Sequence, residues 1–328
     1  MISEQPLRIA TFNLESLDDD ALAARIAVLR PELVRLRVDI LCLQEVNGQR
    51  AARSRERRLA ALSALISETP YAAYQLASTL TIDGDPAERH NLVILSRLPI
   101  ASRAQIRHEL VERPLYRPAT ASPQSERPEP IEWERPLLHA EIAVGAKSLH
   151  VINLHLRAPL AAPVAGQKLG PFSWRTVGGW AEGFFLAGIK RAGQALEARL
   201  LAEQLLDDDP EALVVVAGDL NADIYEVPLR ILRAELGDVG NAALSSRALF
   251  PVEEVIPQAQ RFTVLHHGRR LMLDHLLVSA KLRTHLTCAE CLNKDLADEA
   301  DSAEPSAVGG SFHAPLLAEF ALPVCQLD

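Results

Sequence analysis

The sequence predicts an α/β fold of four layers, an α-β-β-α sandwich in which two mixed sheets pack face to face with helices outside. Three observations predict it. Short apolar, β-branched runs alternate with stretches of helical period along the 328 residues. The two halves of the chain repeat one order of elements. The first runs from a strand ending at Asn13 and Glu15 through a helix to a strand ending at Glu45 and a strand opened by Asn91. The second runs from a strand ending at Asn153 and His155 through a helix to a strand ending at Asp219 and a strand opened by Asp274. Polar residues therefore collect at strand ends, where α/β sheets bind their ligands. Packing the two halves against each other brings both sets of ends to one rim. One domain over residues 1–328, with a single composite site, is the expectation.

The elements follow in order. Leu7 to Phe12 reads as a strand, and Asn13 and Glu15 beyond it share a face if the alternation continues. Asp18, Asp19 and Asp20 supply acids for a helix start, and Leu22, Ile26 and Leu29 form its stripe. Pro31 is expected to end that helix and open a second one. Val38 to Leu43 is a strand leading to Gln44 and Glu45. Arg50, Arg53, Arg55, Arg57 and Arg58 precede a helix through Leu59, Leu62, Leu65 and Ile66; they read as a solvated face or as a rim that attracts phosphate. Asn91 to Arg97 is the next strand. The prolines from Pro114 to Pro136 exclude a regular element, so residues 108–136 read as a surface-loop insertion. Leu137 to Val144 and Leu149 to Ile152 form a hairpin. Residues 157–182, with Trp174 and Trp180, show no period and read as a second, ordered loop insertion. A helix through Leu196, Leu200, Leu201 and Leu205 leads to the strand Leu213 to Val216 and the turn Gly218-Asp219-Leu220-Asn221. A hairpin spans Arg261 to Leu273, a strand begins at Asp274, and Leu316 to Leu322 is the last strand.

Composition bounds the function. A hydrophobic content of 48% supports a large core. No apolar run reaches the ~20 residues of a membrane-spanning helix. Met1 to Pro6 has no basic, apolar leader, so a cytoplasmic location is expected. The net charge of −9 argues against a broad, sequence-independent grip on duplex DNA, which phosphate neutralisation would have to supply. Cys42 lies in an apolar strand and Cys325 near the C-terminus. Cys288 and Cys291 form a CxxC, but no second pair completes four zinc ligands, and in a strand positions i and i+3 face opposite ways.

Glu45 and Asp219 are carboxylates at strand ends; Asn13, Asn153 and Asn221 are amides, and His155 and His313 are imidazoles. Oxygen-rich sets suit Mg²⁺, which keeps several waters and takes one or two carboxylates. Such a cation beside an Asp base and imidazole donors suits phosphoester hydrolysis. No Walker A loop and no Gly-x-Ser-x-Gly elbow is present. A His-His-carboxylate zinc centre stays open on residue types alone. Gly-Asp-x-Asn also reads simply as a turn in which Asp and Asn bond their own backbone.

The ordered set Thr11-Phe12-Asn13-Leu14-Glu15, Leu43-Gln44-Glu45-Val46, Val93-Ile94-Leu95-Ser96-Arg97, Asn153-Leu154-His155, Gly218-Asp219-Leu220-Asn221, Leu273-Asp274-His275 and Ser311-Phe312-His313-Ala314-Pro315 resembles the endonuclease/exonuclease/phosphatase superfamily, with the deoxyribonuclease-I-like fold. The resemblance implies metal-dependent hydrolysis of phosphoric esters, with Mg²⁺ and alternatively Mn²⁺ as cofactor. It implies a phosphodiesterase or nuclease, or alternatively a phosphomonoesterase of inositol-phosphate or lipid-headgroup type. A non-catalytic phosphate-binding protein of the same fold is the remaining alternative. The substrate would be a nucleic acid, a nucleotide or a lipid headgroup, and the acidic charge leans away from long duplex DNA.

By the same resemblance Glu45 is the principal metal ligand, with Asn13 and Glu15 in or around the metal shell. Asp219 aligns or deprotonates the attacking water. Asn153, Asn221 and His155 bind the phosphate, and His313 serves the leaving oxygen, held by Asp274. The family's last motif carries an acid where this chain has Phe312, which puts a second metal position in doubt. Adjacent strand residues face opposite ways, so the carboxylate expected to hold His313 is that of Asp274.

Overall fold

The computed structural model describes residues 5–50, 56–300 and 310–324. Arg53, Arg55 and Cys325 lie outside the described residues.

Two six-stranded sheets form the centre. The first contains β1 (Gln5–Leu17), β2 (Ile40–Val46), β3 (Gln75–Ser78) and β4 (Asn91–Ser96), together with two strands from the end of the chain. The second contains β5 (Ile100–Ile106), β6 (Leu137–Val144), β7 (Lys147–His155), β8 (Leu213–Asp219), β9 (Leu249–Pro251) and β10 (Asp274–Ser279). The late strands β11 (Leu286–Cys291) and β12 (Leu316–Val324) complete the first sheet.

Strand order is β11-β12-β1-β2-β4-β3 in one sheet and β5-β6-β7-β8-β10-β9 in the other. Position by position the two orders have the same pairing. Each has one parallel pair, β1 with β2 and β7 with β8, and every other neighbour is antiparallel. The repeat read from the sequence is thus a repeat of sheet topology.

Burial divides into layers. Leu7, Ile9, Ile40 and Ile94 of the first sheet meet Leu138, Val151, Val215 and Leu276 of the second in one apolar core. The outer face of the first sheet is covered by α1 (Leu22–Leu36) and α2 (Ala60–Ile66), through Leu29, Leu33, Leu36 and Leu62. The outer face of the second is covered by α3 (Val177–Asp208) and α4 (Val227–Arg233), through Ala195, Ala198, Ala202, Leu229 and Leu232. The result is the four-layer sandwich expected from the sequence. Among the described residues no helix is long and apolar enough to cross a membrane.

Three local expectations are corrected. Pro31 does not divide the first helix; α1 runs through it. Leu29, Leu33 and Leu36, all fully buried, lie on one stripe across the proline, so packing outweighs the lost hydrogen bond. The acids before α1 do not cap it: Asp18 instead accepts the Asp20 N–H at 2.9 Å. The loop expected over 157–182 ends early, because Thr176 caps α3 by accepting the Gly179 N–H at 2.9 Å. A helix of 32 residues therefore starts well before its apolar period becomes readable.

The other insertion, 108–136, holds a single two-residue pairing, Leu115–Tyr116 with Glu129–Pro130. It is fastened by Trp133, which is buried and donates from Nε1 to Glu197 Oε2 at 2.9 Å. Cys288 is exposed and Cys291 buried on β11, and both are free thiols, as the strand reading of the CxxC requires.

Candidate active site

The rim where β1, β2, β7 and β8 end also receives the beginnings of their antiparallel neighbours β4, β6 and β10. This gathers polar side chains from both sheets around Asp219. The last residue but one of β8 is Gly218, where φ is +147° and an added Cβ would lie 1.8 Å from the Leu154 carbonyl oxygen of the parallel neighbour. Only glycine lets the two strands stay paired to the last residue, His155 opposite Asp219.

Asp219 is 1% exposed and fully engaged. Its Oδ2 accepts from Asn13 Nδ2 at 2.9 Å and from Asn221 Nδ2 at 3.0 Å, and its Oδ1 accepts the Asn221 N–H at 2.9 Å. His155 Nε2 lies 3.2 Å from Oδ2, and His313 Nε2 lies 4.0 Å from it. Burial works to raise the pKa of this carboxyl, but the His313 and His155 imidazoles and the donated hydrogen bonds outweigh it. Asp219 is held well below the usual carboxylate range. The Asn221 bond to Asp219 is also the Asx turn that the bland reading of Gly-Asp-x-Asn allowed. The turn and the site are one structure.

Glu45 stands on a kink in β2, with φ at +58°. Its Oε2 accepts from Ser16 N at 2.9 Å and Ser16 Oγ at 3.2 Å. Asn13 Nδ2 lies 3.4 Å from Oε1, which links Glu45 to Asp219 through one amide. His155 Nε2 is 3.7 Å from Oε1, and His90 Nδ1 is 3.7 Å from Oε2. Burial pushes the Glu45 pKa up, and the imidazoles of His155 and His90 outweigh it, so the carboxyl sits below its ordinary range.

Glu15 departs from the alternation expected of β1. Its φ is +48° and that of Ser16 +53°, and between Asn13 and Leu17 the strand carries two more residues than its partner does between Gln44 and Val46. This bulge swings the Glu15 carboxylate to the far loop, where Oε2 accepts the Phe312 N–H at 2.8 Å. Asn13 Oδ1 closes the bulge by accepting the Glu15 N–H at 2.8 Å. The buried Arg25 of α1 donates to the carbonyl oxygens of Leu14, Glu15 and Gly310. Burial, with the nearby Glu45 charge, raises the Glu15 pKa despite the Phe312 N–H and His313.

His313 Nδ1 lies 2.7 Å from Asp274 Oδ2, so the contact expected from the sequence is present. Asp274 is itself placed by Thr263, whose Oγ1 accepts its N–H at 3.1 Å. Burial would lower the His313 pKa, yet the Asp274 and Asp219 carboxylates dominate and raise it to about 10. The Phe312 side chain is buried, and the backbone N–H of this position is what reaches Glu15.

Asn153, expected at the phosphate, is placed elsewhere. It is fully buried; Oδ1 accepts from Gln44 Nε2 at 2.8 Å, and Nδ2 donates to the carbonyl oxygens of Leu43 at 3.1 Å and Val93 at 3.0 Å. It clips the two sheets together behind the rim. Asn13, its counterpart in the repeat, reaches the rim because β1 leaves its ladder there, whereas β7 stays paired to His155.

His90 and Arg135 were not anticipated. His90 immediately precedes β4, and Arg135 closes the proline-rich loop before β6. Both mark the start of an antiparallel strand beside a strand that ends at the rim. A reading that collects C-terminal ends misses them. Burial and the nearby Arg135 charge push His90 down to about 4, so its imidazole is neutral, and its buried Nδ1 has no hydrogen-bond partner. Arg135 donates to the carbonyl oxygens of His155 and Leu156. A cleft of about 610 Å³ opens beside these two residues, lined also by Arg89, Arg107 and Glu134.

The residues fit a divalent cation. One ligand atom from each of Glu45, His90 and His155 can be chosen so that all lie within 4.8 Å of one another. Glu15 feels the charge of Glu45, and His90 Nδ1, which has no hydrogen-bond partner, lies 3.7 Å from Glu45 Oε2. Two imidazoles, His90 and His155, flank Glu45 beside the oxygen donors to which the sequence pointed.

The sequence model of the endonuclease/exonuclease/phosphatase family matches residues 10–289. Among solved structures, truncated TDP2 of Caenorhabditis elegans superposes with a TM-score of 0.57 at 16% identity, covering 96% of this chain and 97% of that one. An AP endonuclease from Archaeoglobus fulgidus gives 0.52 at 17% identity, covering 96% and 99%. The mannosyl-6-phosphatase Bt3783 of Bacteroides thetaiotaomicron VPI-5482 gives 0.58 at 15% identity, covering 95% and 98%. No curated protein sequence matches the chain.

Proposed function

The chain belongs to the endonuclease/exonuclease/phosphatase family, and from that premise we propose that it is a Mg²⁺-dependent phosphodiesterase of nuclease type. One observation supports this most. A carboxylate held ionised, Asp219, sits between a carboxylate-imidazole cluster at Glu45 and an imidazole held charged, His313, with all three joined through short contacts.

Glu45, with Glu15, Asn13 and His90, would hold the cation, which would supply Lewis-acid stabilisation of charge on the phosphoryl oxygens. The chain's own groups do the rest. Asp219 orients water for in-line attack; its low pKa makes alignment and charge its larger contribution and proton abstraction the smaller. Asn221 and His155 donate to non-bridging oxygens. His313 delivers a proton to the leaving oxygen, and Asp274 fixes its tautomer so that Nε2 faces the reaction.

A second reading, a phosphomonoesterase, draws support from the cleft beside Glu45, where Arg89, Arg107 and Arg135 outnumber the acids Glu109 and Glu134. Such a cleft suits a substrate with a further phosphate. Turnover of bis-p-nitrophenyl phosphate against p-nitrophenyl phosphate, each with Mg²⁺ and with EDTA, decides between the two. Preference for the monoester overturns the diesterase reading, and no metal-dependent turnover of either overturns both.

A further inference from the structure

The first three turns of α3 present an unusual surface. From Val177 to Gly188 every solvent-facing residue is apolar, with Val177 81%, Trp180 46%, Phe184 47% and Phe185 52% exposed. Val177, Trp180 and Phe184 follow helical spacing on one face, and the Trp180 and Phe184 rings stack with centroids 5.7 Å apart. The hairpin leading into the helix, closed by Lys168 against Trp174, adds Leu169 and Phe172, 64% and 91% exposed. Soluble surfaces carry isolated apolar residues freely, but a continuous patch of this kind marks a docking surface.

Its position follows from topology. β7 and β8 are parallel, so α3, which joins them, must begin at the rim where both strands end. Arg191 marks the level of that rim, since Nη2 donates to the Asn221 carbonyl oxygen. Residues 177–190 therefore reach about 20 Å beyond it. The apolar surface stands beside the mouth of the site and projects past it.

The charge pattern selects the occupant. In a chain with 43 acidic residues, Ile142 to Leu196 contains one, Glu182. That one is 9% exposed and taken up by Tyr116 Oη, Ala119 N and Thr120. At the edge of the patch the hairpin and helix start carry two cations, Arg175, which is exposed, and Lys168, which is half-buried with Nζ over the Trp174 ring. Docking of a second copy would set these cations against themselves. A stacked single-stranded nucleic acid would leave exposed Leu169 and Val177 without a role. Aromatic and aliphatic residues on an uncharged helix face, with basic residues at the edge, match the interface of an anionic bilayer.

We propose that the N-terminal turns of α3 and the Lys168–Trp174 hairpin dock the protein on anionic lipid bilayers, with the rim of the site facing the membrane. The proposal goes beyond the hydrolytic reading and does not depend on it. The test is co-sedimentation of the full chain in EDTA with vesicles of phosphatidylcholine alone and with 30% phosphatidylserine (~30 mol%, a common anionic load). Binding to the anionic vesicles is expected, weakened at high salt and lowered about tenfold or more by Trp180→Ser with Phe184→Ser. Those variants should keep bis-p-nitrophenyl phosphate turnover, which shows that they are folded. Absence of vesicle binding, or equal binding by the variants, overturns the proposal. So does finding that the same substitutions instead abolish self-association in light scattering or capture of an oligo-dT strand.

Discussion

The Nδ1 atom of His313 lies 2.7 Å from Asp274 Oδ2, while its Nε2 lies 4.0 Å from Asp219 Oδ2. One imidazole thus joins the start of β10 to the end of β8. The first distance is a hydrogen bond. The second is an electrostatic contact across the site between imidazole and carboxylate.

This pair predicts a pH dependence. The His313 pKa is raised to about 10 from 6.5. A raised histidine contributes stability that is complete below its unfolded pKa and is lost as pH rises through the folded value. Both the stability from this pair and the alkaline limb of turnover should therefore decline between about 6.5 and about 10. Asp274→Asn should bring the alkaline limb of the pH–rate profile down toward the ordinary histidine range and lower turnover ~10²-fold or more. An unmoved limb removes His313 from the acid role.

Asp219→Asn should lower turnover by ~10²–10⁴, with the far-ultraviolet circular dichroism unchanged. The asparagine keeps an oxygen for Asn13 and Asn221 but loses the charge that His155 and His313 balance. Activity within a few-fold of the unaltered protein would remove Asp219 from the reaction.

Activity should vanish in EDTA and return with Mg²⁺ or Mn²⁺, and Glu45→Ala should weaken the metal response most. The imidazole of His90 beside Glu45 predicts a finer effect. Metals later in the divalent series favour nitrogen ligands more than Mg²⁺ does, so Mn²⁺ should restore activity at lower concentration. His90→Ala should abolish that difference. Metal titrations of both proteins read it directly, and an unchanged ratio places His90 outside the metal shell.

Asn153→Ala should be costly to stability and mild to catalysis. It would strip partners from Gln44 Nε2 and from the carbonyl oxygens of Leu43 and Val93, all buried between the sheets. A loss on the order of 1–3 kcal/mol in urea unfolding is expected, with kcat changed only a few-fold. A large fall in kcat with unchanged stability would return Asn153 to the phosphate.

Much of this was open to a reader of the sequence. The repeated order of strands and the polar residues at their ends were sufficient for the two-sheet sandwich. They were sufficient too for assembling Asn13, Glu45, His155, Asp219, Asn221, Asp274 and His313 at one rim. Strand period and strand termination are local properties, and the chain writes them locally. The start of α3 was hidden because Gly178, Gly179 and Gly183 and an exposed aromatic face mask its period. Pro31 misled because a local rule was outweighed by packing on either side of it.

What the sequence determined by itself is which residues stand at strand ends and what chemistry their side chains can do. The tertiary structure alone decided which of them face one another. Asn13 and Asn153 occupy equivalent places in the repeat, yet one holds Asp219 and the other ties Gln44 across the sheets. The difference lies in a two-residue bulge that lifts β1 from its ladder, held by Arg25 from a helix and by the Phe312 loop from the far end of the chain. His90 and Arg135 joined the site because antiparallel neighbours begin where their partners end. Bulge, register and strand order depend on contacts between segments distant in the chain, and no short stretch of sequence contains them.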